Sequence, residues 1–489
     1  VYTDDFNGDG RADMLLHYRY GTDGKVYRLT ANANGGFNPA VEITTQYGMT
    51  STRWYHSNIV TSDFNGDGKA DVMAHYRFSN SSSVALLLAN ASGGFNYLQD
   101  ITTQHGLTAS QWYNVTPTSA DFNGDGKADL LLRIRMGSSA TTYLLMANDI
   151  GGFNPAVDIT SQYGLSTGFW YNADPLVADF NGDGRSDVVF RYWTGTEYNG
   201  YLLLGNPAGG FNSLVNVTHH YGLNATAWKC GLFVPGDFNG DGRTDLMLQR
   251  RSGCNTGAHY LLYASGSDGS TGNLVFNTAI DVTNQYGMND DRWWQSDLIP
   301  GDFNGDGRTD LLLKSWVETQ TDAHLMLFSS GAGFRAAEDV TNAYGMSSNT
   351  WAYTNPRVAD FDGDGDTDIM LQGLLSGLSI PHQLLTATSR TTDVVTTLFN
   401  GYGSTTTVIY EPSSNWLNSN NPPITQTVSA LIVTDGRGWS ATSIYDYAGG
   451  AWDPVERRHL GFRYVRVTDP SGAYEQSYFY QGASFNIGE

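Results

Sequence analysis

"DFNGDGKAD" occupies residues 63–71 and recurs unchanged at 121–129. Near-copies open at Asp5, Asp179, Asp237, Asp302 and Asp360, which makes seven in the 489-residue chain. Five of the six intervals are 58 residues and the fifth is 65. The long interval contains "ASGSDGSTGN" at 264–273, a Gly/Ser-rich insertion that reads as a lengthened hairpin loop. Other landmarks keep the same phase: "GGF" at 35–37, 93–95, 151–153 and 209–211, and Tyr-Gly or His-Gly at 47, 105, 163, 221, 286 and 344. A tryptophan follows at 54, 112, 170, 228, 293 and 351. A fixed period of this length marks one repeat array, not a string of unrelated domains.

Each unit reads as four strands. "NIVTSDF" (58–64) is a short apolar strand entering the Asp loop, and "ADVMAHYRF" (70–78) alternates apolar and polar residues on the way out. "VALLLAN" (84–90) suits a strand buried on both faces, and after the "SGGF" turn "LQDITTQ" (98–104) supplies the fourth. Helical spacing is nearly absent. The expected fold is all-β, a seven-bladed β-propeller over residues 1–400 followed by a small β-hairpin-rich module over 401–489. The first unit lacks the strand before its loop, so closure of the ring is expected to borrow a strand from elsewhere or from residues upstream of residue 1. In the module, "DGRG" (435–438) and "DPSG" (469–472) are turns between alternating strands. That module either packs beside the propeller or supplies the closing strand.

The repeated loop carries oxygen-bearing side chains at positions 1, 3, 5 and 9. A hard cation such as Ca²⁺ takes six to eight oxygens, and alternating carboxylates converge on one point where glycines let the backbone fold tightly. The backbone carbonyl at position 7 completes the set. The expected ligands are Asp5, Asn7, Asp9, Arg11 and Asp13 in the first loop, and Asp63, Asn65, Asp67, Lys69 and Asp71 in the second. The third and fourth loops offer Asp121, Asn123, Asp125, Lys127, Asp129 and Asp179, Asn181, Asp183, Arg185, Asp187. Asp237, Asn239, Asp241, Arg243, Asp245 and Asp302, Asn304, Asp306, Arg308, Asp310 form the fifth and sixth. The seventh departs, with Asp362 for asparagine and Asp366 for the cation, beside Asp360, Asp364 and Asp368. The competing reading is metal-free Asp/Gly turns. Turns need no aspartate at position 9, and three carboxylates packed without a cation repel one another. The expectation is therefore about one Ca²⁺ per blade, seven in all.

Composition agrees. There are 27 Lys+Arg against 49 Asp+Glu, a net charge of −22, and three aspartates in each of seven loops nearly account for that excess. An acidic chain is a poor match for nucleic acid, whose phosphates need a basic surface. No apolar run of about 18 residues exists to span a membrane. The opening "VYTDDFNGDG" is no signal peptide, and residue 1 reads as the start of a processed or excised piece.

Cys230 and Cys254 flank the fifth loop, where antiparallel strands bring them close, so a disulfide is expected over two buried thiols. The tryptophans are expected to pack blade against blade, with sugar-stacking platforms as the alternative. Four residues beyond each loop stand His17, His75, Arg133, Arg191, Gln249, Lys314 and Gln372. They either balance the nearby carboxylates or line a channel or anion site.

The loop and its period resemble the FG-GAP/VCBS repeats of integrin-type β-propellers, over roughly residues 1–400. That resemblance implies Ca²⁺ in each loop, an extracellular setting and ligand recognition on a propeller face. "NGYGSTTTVIYEPSS" (400–414), "DGRGWSATSIYDYAGGAWDPVERRHLGFRYVRVTDPSG" (435–472) and "SYFYQ" (477–481) are similar to the segment after the propeller in B components of insecticidal toxin complexes. Related segments occur in Salmonella-plasmid-virulence-like and Rhs/YD-repeat proteins, where they lead into a hollow β-shell around a toxic part. Neither a YD-repeat array nor a warhead is present in this sequence.

The expected function is that of a secreted, calcium-binding recognition or docking module, with a protein or glycan ligand on a propeller face. The rivals are a carbohydrate-binding propeller lectin and a propeller polysaccharide lyase. A lyase needs a break in the repeat that assembles a base and a charge-neutralising group. The breaks at 264–273 and at "LLSGLSIPHQ" (374–383) offer no such set, so no enzyme activity is expected.

Overall fold

The computed structural model describes residues 1–481, except 80, 252–253, 255–257, 267–274, 316–322, 374–381, 388–393, 419–423 and 454–457. Most of the insertion at 264–273 and of the break at 374–383 thus lies outside the described residues.

Seven antiparallel sheets follow one another along the chain and form a seven-bladed propeller. Blade 2 shows the pattern: Ser57–Ser62, Asp71–Phe78, Ser81–Leu87 and Gln99–Asp100, paired in that order. The apolar–polar alternation of Asp71–Phe78 pairs directly with the two neighbouring strands, Ile59 opposite Ala74 and Ala74 opposite Ala85. The fourth strand is shorter than the sequence suggested. Of residues 98–104 only Gln99–Asp100 join the ladder, because Thr102 turns its hydroxyl back to the N–H of Val84 (2.9 Å). Blade 7 has three strands among the described residues, Thr354–Ala359, Asp368–Gly373 and Gln383–Leu385.

Two expectations fail. The first unit does have its inner strand: Tyr2–Asp4 pairs with Asp13–Leu15, Asp4 opposite Asp13. Each of the first six repeats also contains a one-turn helix: Ser51–Tyr55, Ala109–Tyr113, Thr167–Asn172, Ala225–Cys230, Asp290–Trp294 and Ser348–Ala352. Five or six residues are too few to display helical periodicity. Each helix is started by a capping side chain, such as Thr50, Thr108, Ser166, Asn224 and Asn289, which accepts a backbone N–H of the first turn.

The helices deliver the tryptophans. Trp54, Trp112, Trp170, Trp228, Trp293 and Trp351 are at most 2% exposed. Trp112 packs with Phe64 and Leu86 of blade 2 and with Leu130 and Leu145 of blade 3, and five further seams, from blades 1 and 2 to blades 6 and 7, repeat this two-blade core. Buried rings cannot be sugar platforms.

The ring closes without a borrowed strand. An N–H at the end of each loop donates to the opening aspartate's carbonyl in the preceding loop: Ala70 to Asp5 (2.8 Å), Ala128 to Asp63 (2.7 Å), Ser186 to Asp121 (2.7 Å), and so on to Thr367 and Asp302 (2.6 Å). Ala12 donates to Asp360 (2.7 Å), so this bond recurs at the blade 7–blade 1 seam.

The C-terminal module is a separate sheet, Thr397–Phe399, Thr405–Pro412, Gln426–Thr434, Ser440–Asp453, Arg458–Thr468 and Tyr474–Tyr478 in that order, with Leu417–Asn418 parallel to the fourth. It docks on the seventh loop: Ser414 Oγ donates to the Gly363 carbonyl and Gln426 Nε2 to that of Asp364 (3.1 Å). Among the described residues no helix is long and apolar enough to cross a membrane.

Candidate metal centres

The second loop illustrates how the sequence builds its geometry. Gly66 and Gly68 sit at φ 76° and 77°, a region that L side chains avoid, and this folds the loop back on its first residue. Asp63 then accepts the N–H groups of Gly66 (2.7 Å) and Gly68 (2.8 Å). Asn65 accepts from Asp67 (2.8 Å) and Asp67 from Lys69 (3.0 Å). Phe64, fully buried, anchors the loop in the blade.

Position 9 has its own task. Asp71 is fully buried, and it accepts Phe64 N–H (2.9 Å) and Ala89 N–H (2.7 Å), tying the loop to the end of the third strand. Asp129, Asp187, Asp245, Asp310 and Asp368 make the same pair of bonds. Asp13 accepts Ala31 N–H (2.8 Å), while its Oδ2 has no hydrogen-bond partner. Burial, followed by repulsion from the carboxylates at positions 1 and 5, outweighs these bonds. It pushes Asp13, Asp71 and Asp187 up to about 8, and Asp129, Asp245, Asp310 and Asp368 to about 7. Hard oxygen donors, an unpartnered buried carboxylate oxygen and uncompensated negative charge are what a calcium-type ion fits.

The carboxylates converge most closely in the seventh loop. Asp360, Asp362 and Asp368 each offer an oxygen within 4.8 Å of the others, the one such acidic cluster among the described residues. In the other six loops asparagine replaces the second of these carboxylates.

Position 7 shows a role the sequence did not reveal. Beyond its backbone carbonyl, its side chain lies across the preceding loop: a Cβ on Gly8 would come within 2.9 Å of Lys69 Cγ. Lys127, Arg185, Arg243 and Arg308 likewise cover Gly66, Gly124, Gly182 and Gly240, and Arg11 covers Gly363 across the ring closure. Each cation also pairs with its own loop's position-5 aspartate, as Lys69 with Asp67 (3.3 Å) and Arg308 with Asp306 (2.5 Å). The 58-residue spacing held the signal, since a position-7 cation recurs six times and then becomes Asp366.

Of the polar residues four beyond each loop, Arg191 balances a carboxylate, pairing with Asp174 (2.8 Å), as one of the expected readings had it. Their shared partners are backbone carbonyls of the helix or of the strand that follows it: His17 Nε2–H donates to Trp54 O (2.8 Å), His75 Nε2–H to Trp112 O (2.7 Å), Gln249 to Ser296 O (2.7 Å) and Arg191 to Gly231 O (3.2 Å). Burial, with Arg19 and Arg77 adding to it, holds His17 and His75 at about 4, so both are neutral donors. Cys230 and Cys254 form the expected disulfide, with Cα atoms 6.0 Å apart.

The Tyr-Gly pairs are inter-blade clips. Tyr47, His105, Tyr163, Tyr221, Tyr286 and Tyr344 all take φ between 56° and 60°. That backbone costs about 1–3 kcal/mol per residue. In return the carbonyl of Tyr47 accepts Leu98 N–H from the next blade (2.9 Å), and its ring meets Phe95 edge-on at 5.6 Å. The "GGF" phenylalanine is thus the receptor for the preceding tyrosine. Blade 7 has no such motif, and Tyr344 is 68% exposed beside a cleft of about 530 Å³ between blades 6 and 7.

Comparison with known proteins agrees with this anatomy. The model of the FG-GAP-like repeat matches residues 5–74, 63–132 and 179–248. The model of the insecticide toxin TcdB middle/N-terminal region matches residues 326–486. An FG-GAP-repeat propeller runs into a TcdB-like segment. This is the architecture of toxin-complex and Rhs-like proteins. A T-cell immunomodulatory protein homolog of Plasmodium falciparum (isolate 3D7) is 25% identical over 270 residues, which covers 50% of this chain and 36% of that protein. The chain therefore spans about a third of that relative. A solved Agrocybe aegerita lectin, described as recognising non-reducing terminal N-acetylglucosamine, shares the fold with TM-score 0.54 and 17% identity, covering 77% of this chain and 91% of its own. The Photorhabdus luminescens Tc holotoxin pore aligns over 95% of this chain and 21% of its own, with 17% identity and TM-score 0.47.

Proposed function

We propose that this chain is a secreted, calcium-stapled propeller that serves as the recognition or docking part of a toxin-complex-like or Rhs-like extracellular protein. Residues 1–400 form the binding body and 401–489 the connection to the rest of the assembly. The observation that carries this reading is the join itself: the TcdB-like segment begins inside blade 6 and its sheet docks on the seventh loop. One Ca²⁺ per loop neutralises the buried position-9 aspartates and fixes the ends of two strands in every blade. With calcium at 100 times its dissociation constant, each site adds about 2.7 kcal/mol to stability. The role is non-enzymatic. The disulfide suits an oxidising, extracellular compartment. The partner is a protein or a glycan on a propeller face, and the burial of all six repeat tryptophans removes the platforms a sugar-stacking lectin would use.

Elemental analysis of the purified chain before and after exhaustive chelation tests the staple. Seven loop-bound calcium ions are expected, with a large fall in melting temperature on their removal and loss of one ion in Asp121→Asn. A chain whose melting is indifferent to chelation would sink the reading. A glycan array probed with the calcium-loaded chain then separates the two partner classes.

A further inference from the structure

Six of the seven seams place a lysine or arginine side chain on the preceding loop; at the seam between blades 6 and 7 that place is taken by Asp366. Both of its carboxylate oxygens press on the sixth loop, where a Cβ on Gly305 would collide with Oδ1 and come within 3.2 Å of Oδ2. The residue is 4% exposed, and its Oδ2 has no hydrogen-bond partner among the described residues. Asp364, Asp302, Asp360 and Asp362 all act on it as nearby negative charges. Two of the neighbouring cations are committed elsewhere. Arg308 pairs with Asp306 and covers Gly240, while Arg11 donates to Asp362 O (3.0 Å) and Asn415 Oδ1 (3.2 Å). A buried carboxylate with an unpartnered oxygen, among other carboxylates and without a cation, is among the most unfavourable arrangements a protein interior offers.

We propose that a divalent cation of the calcium class sits at this seam, held by the Asp366 side chain against the sixth loop, in addition to the ions of the seven loops. Charge favours a divalent ion. An aspartate plus a divalent cation carries the same single positive charge as the lysine or arginine at the other six seams. The donors available are oxygens, which suit calcium over softer metals. The cleft beside Asn304 and Asp306 opens this side of the sixth loop to solvent and to ions. The site goes beyond the loop-ion reading and does not require it.

The test counts calcium bound to the full chain after chelation and equilibrium dialysis with calcium alone. Wild type is compared with Asp366→Lys, which restores the pattern of the other seams, and with the near-isosteric Asp366→Asn. Both variants are expected to bind one calcium fewer than wild type, and Asp366→Lys to melt higher than wild type in chelator. Asp360→Asn removes the seventh loop's own ion, so the double variant Asp360→Asn/Asp366→Asn is expected to lose two. Equal counts in wild type and both Asp366 variants overturn the proposal. Should Asp366→Lys fail to fold, the Asp366→Asn count decides alone. A difference of one with few ions overall keeps the seam ion and sinks the loop reading; seven ions in wild type and in both single Asp366 variants, with six in the double variant, does the reverse.

Discussion

At the scale of single residues, the aspartate at loop position 9 is as much a hydrogen-bond acceptor as a candidate ligand. Asp129→Ala strands the N–H groups of Phe122 and Ala147 in a buried site. It is expected to cost about 2–4 kcal/mol even in chelator, as read by urea unfolding. The aspartate spacing was legible in the sequence, because that residue type at nine-residue reach serves no ordinary turn. The histidines were not. His17 and His75 read as charge-balancing groups, whereas their carbonyl partners come from a helix 37 residues away. Their titration gives a signed prediction. His75 is held near 4 when folded, against 6.5 unfolded, so its contribution is fully present above pH 6.5 and is lost as pH falls towards 4. The loss is about 3 kcal/mol by pH 4. Gln249 makes the equivalent bond to the Trp293 carbonyl in blade 5, so His75→Gln should retain stability at pH 7 and flatten the acid limb by that amount, which denaturant titration at several pH values would reveal.

At the scale of elements, strands declared themselves through alternation and regular spacing, and the one-turn helices did not. Each helix is shorter than two periods of its own pattern. The readable signal was the pairing of a capping Thr, Ser or Asn with a tryptophan four residues later, at 50 and 54, 108 and 112, 166 and 170, 224 and 228, 289 and 293. Four of the blades set a histidine against the tryptophan, in two ways. In blades 1 and 2 a histidine on the second strand meets the tryptophan edge-on. In blades 5 and 6 the histidine has moved to the start of the third strand, where His259 and His324 stack on Trp293 and Trp351. In blade 5 the disulfide ties the last residue of the helix Ala225–Cys230, just ahead of the first strand, to Cys254 in the connection after the second strand Asp245–Arg250. Cys230→Ser/Cys254→Ser removes a cross-link spanning 24 residues, and the expected cost is about 3–4 kcal/mol. Melting with and without reductant measures it in wild type, and the variant should show no response.

At the scale of the whole molecule, the number of blades followed from the loop count, but the way the ring closes did not. The first strand is three residues long and hard to see in sequence, and the closing contacts join residues at opposite ends of the array. Arg11 sits at that junction, bonded to Asp362 of blade 7 and to Asn415 of the module. Arg11→Ala should therefore destabilise the chain by about 2–4 kcal/mol, against less than about 1 kcal/mol for Lys127→Ala, whose partners Asp125 and Asp149 are half-buried and exposed. Thermal melts of the two variants side by side check this. The closure has a further consequence, one of timing. Arg11 and Asp362 are 351 residues apart, so during synthesis the flank of blade 1 that will meet blade 7 waits for nearly the whole array. At ribosomal speeds of about 5–20 residues per second, that wait is roughly 20–70 s. For that interval the nascent chain presents an open blade flank, and the opposite flank of a blade in a neighbouring nascent chain is the most similar competitor of blade 7.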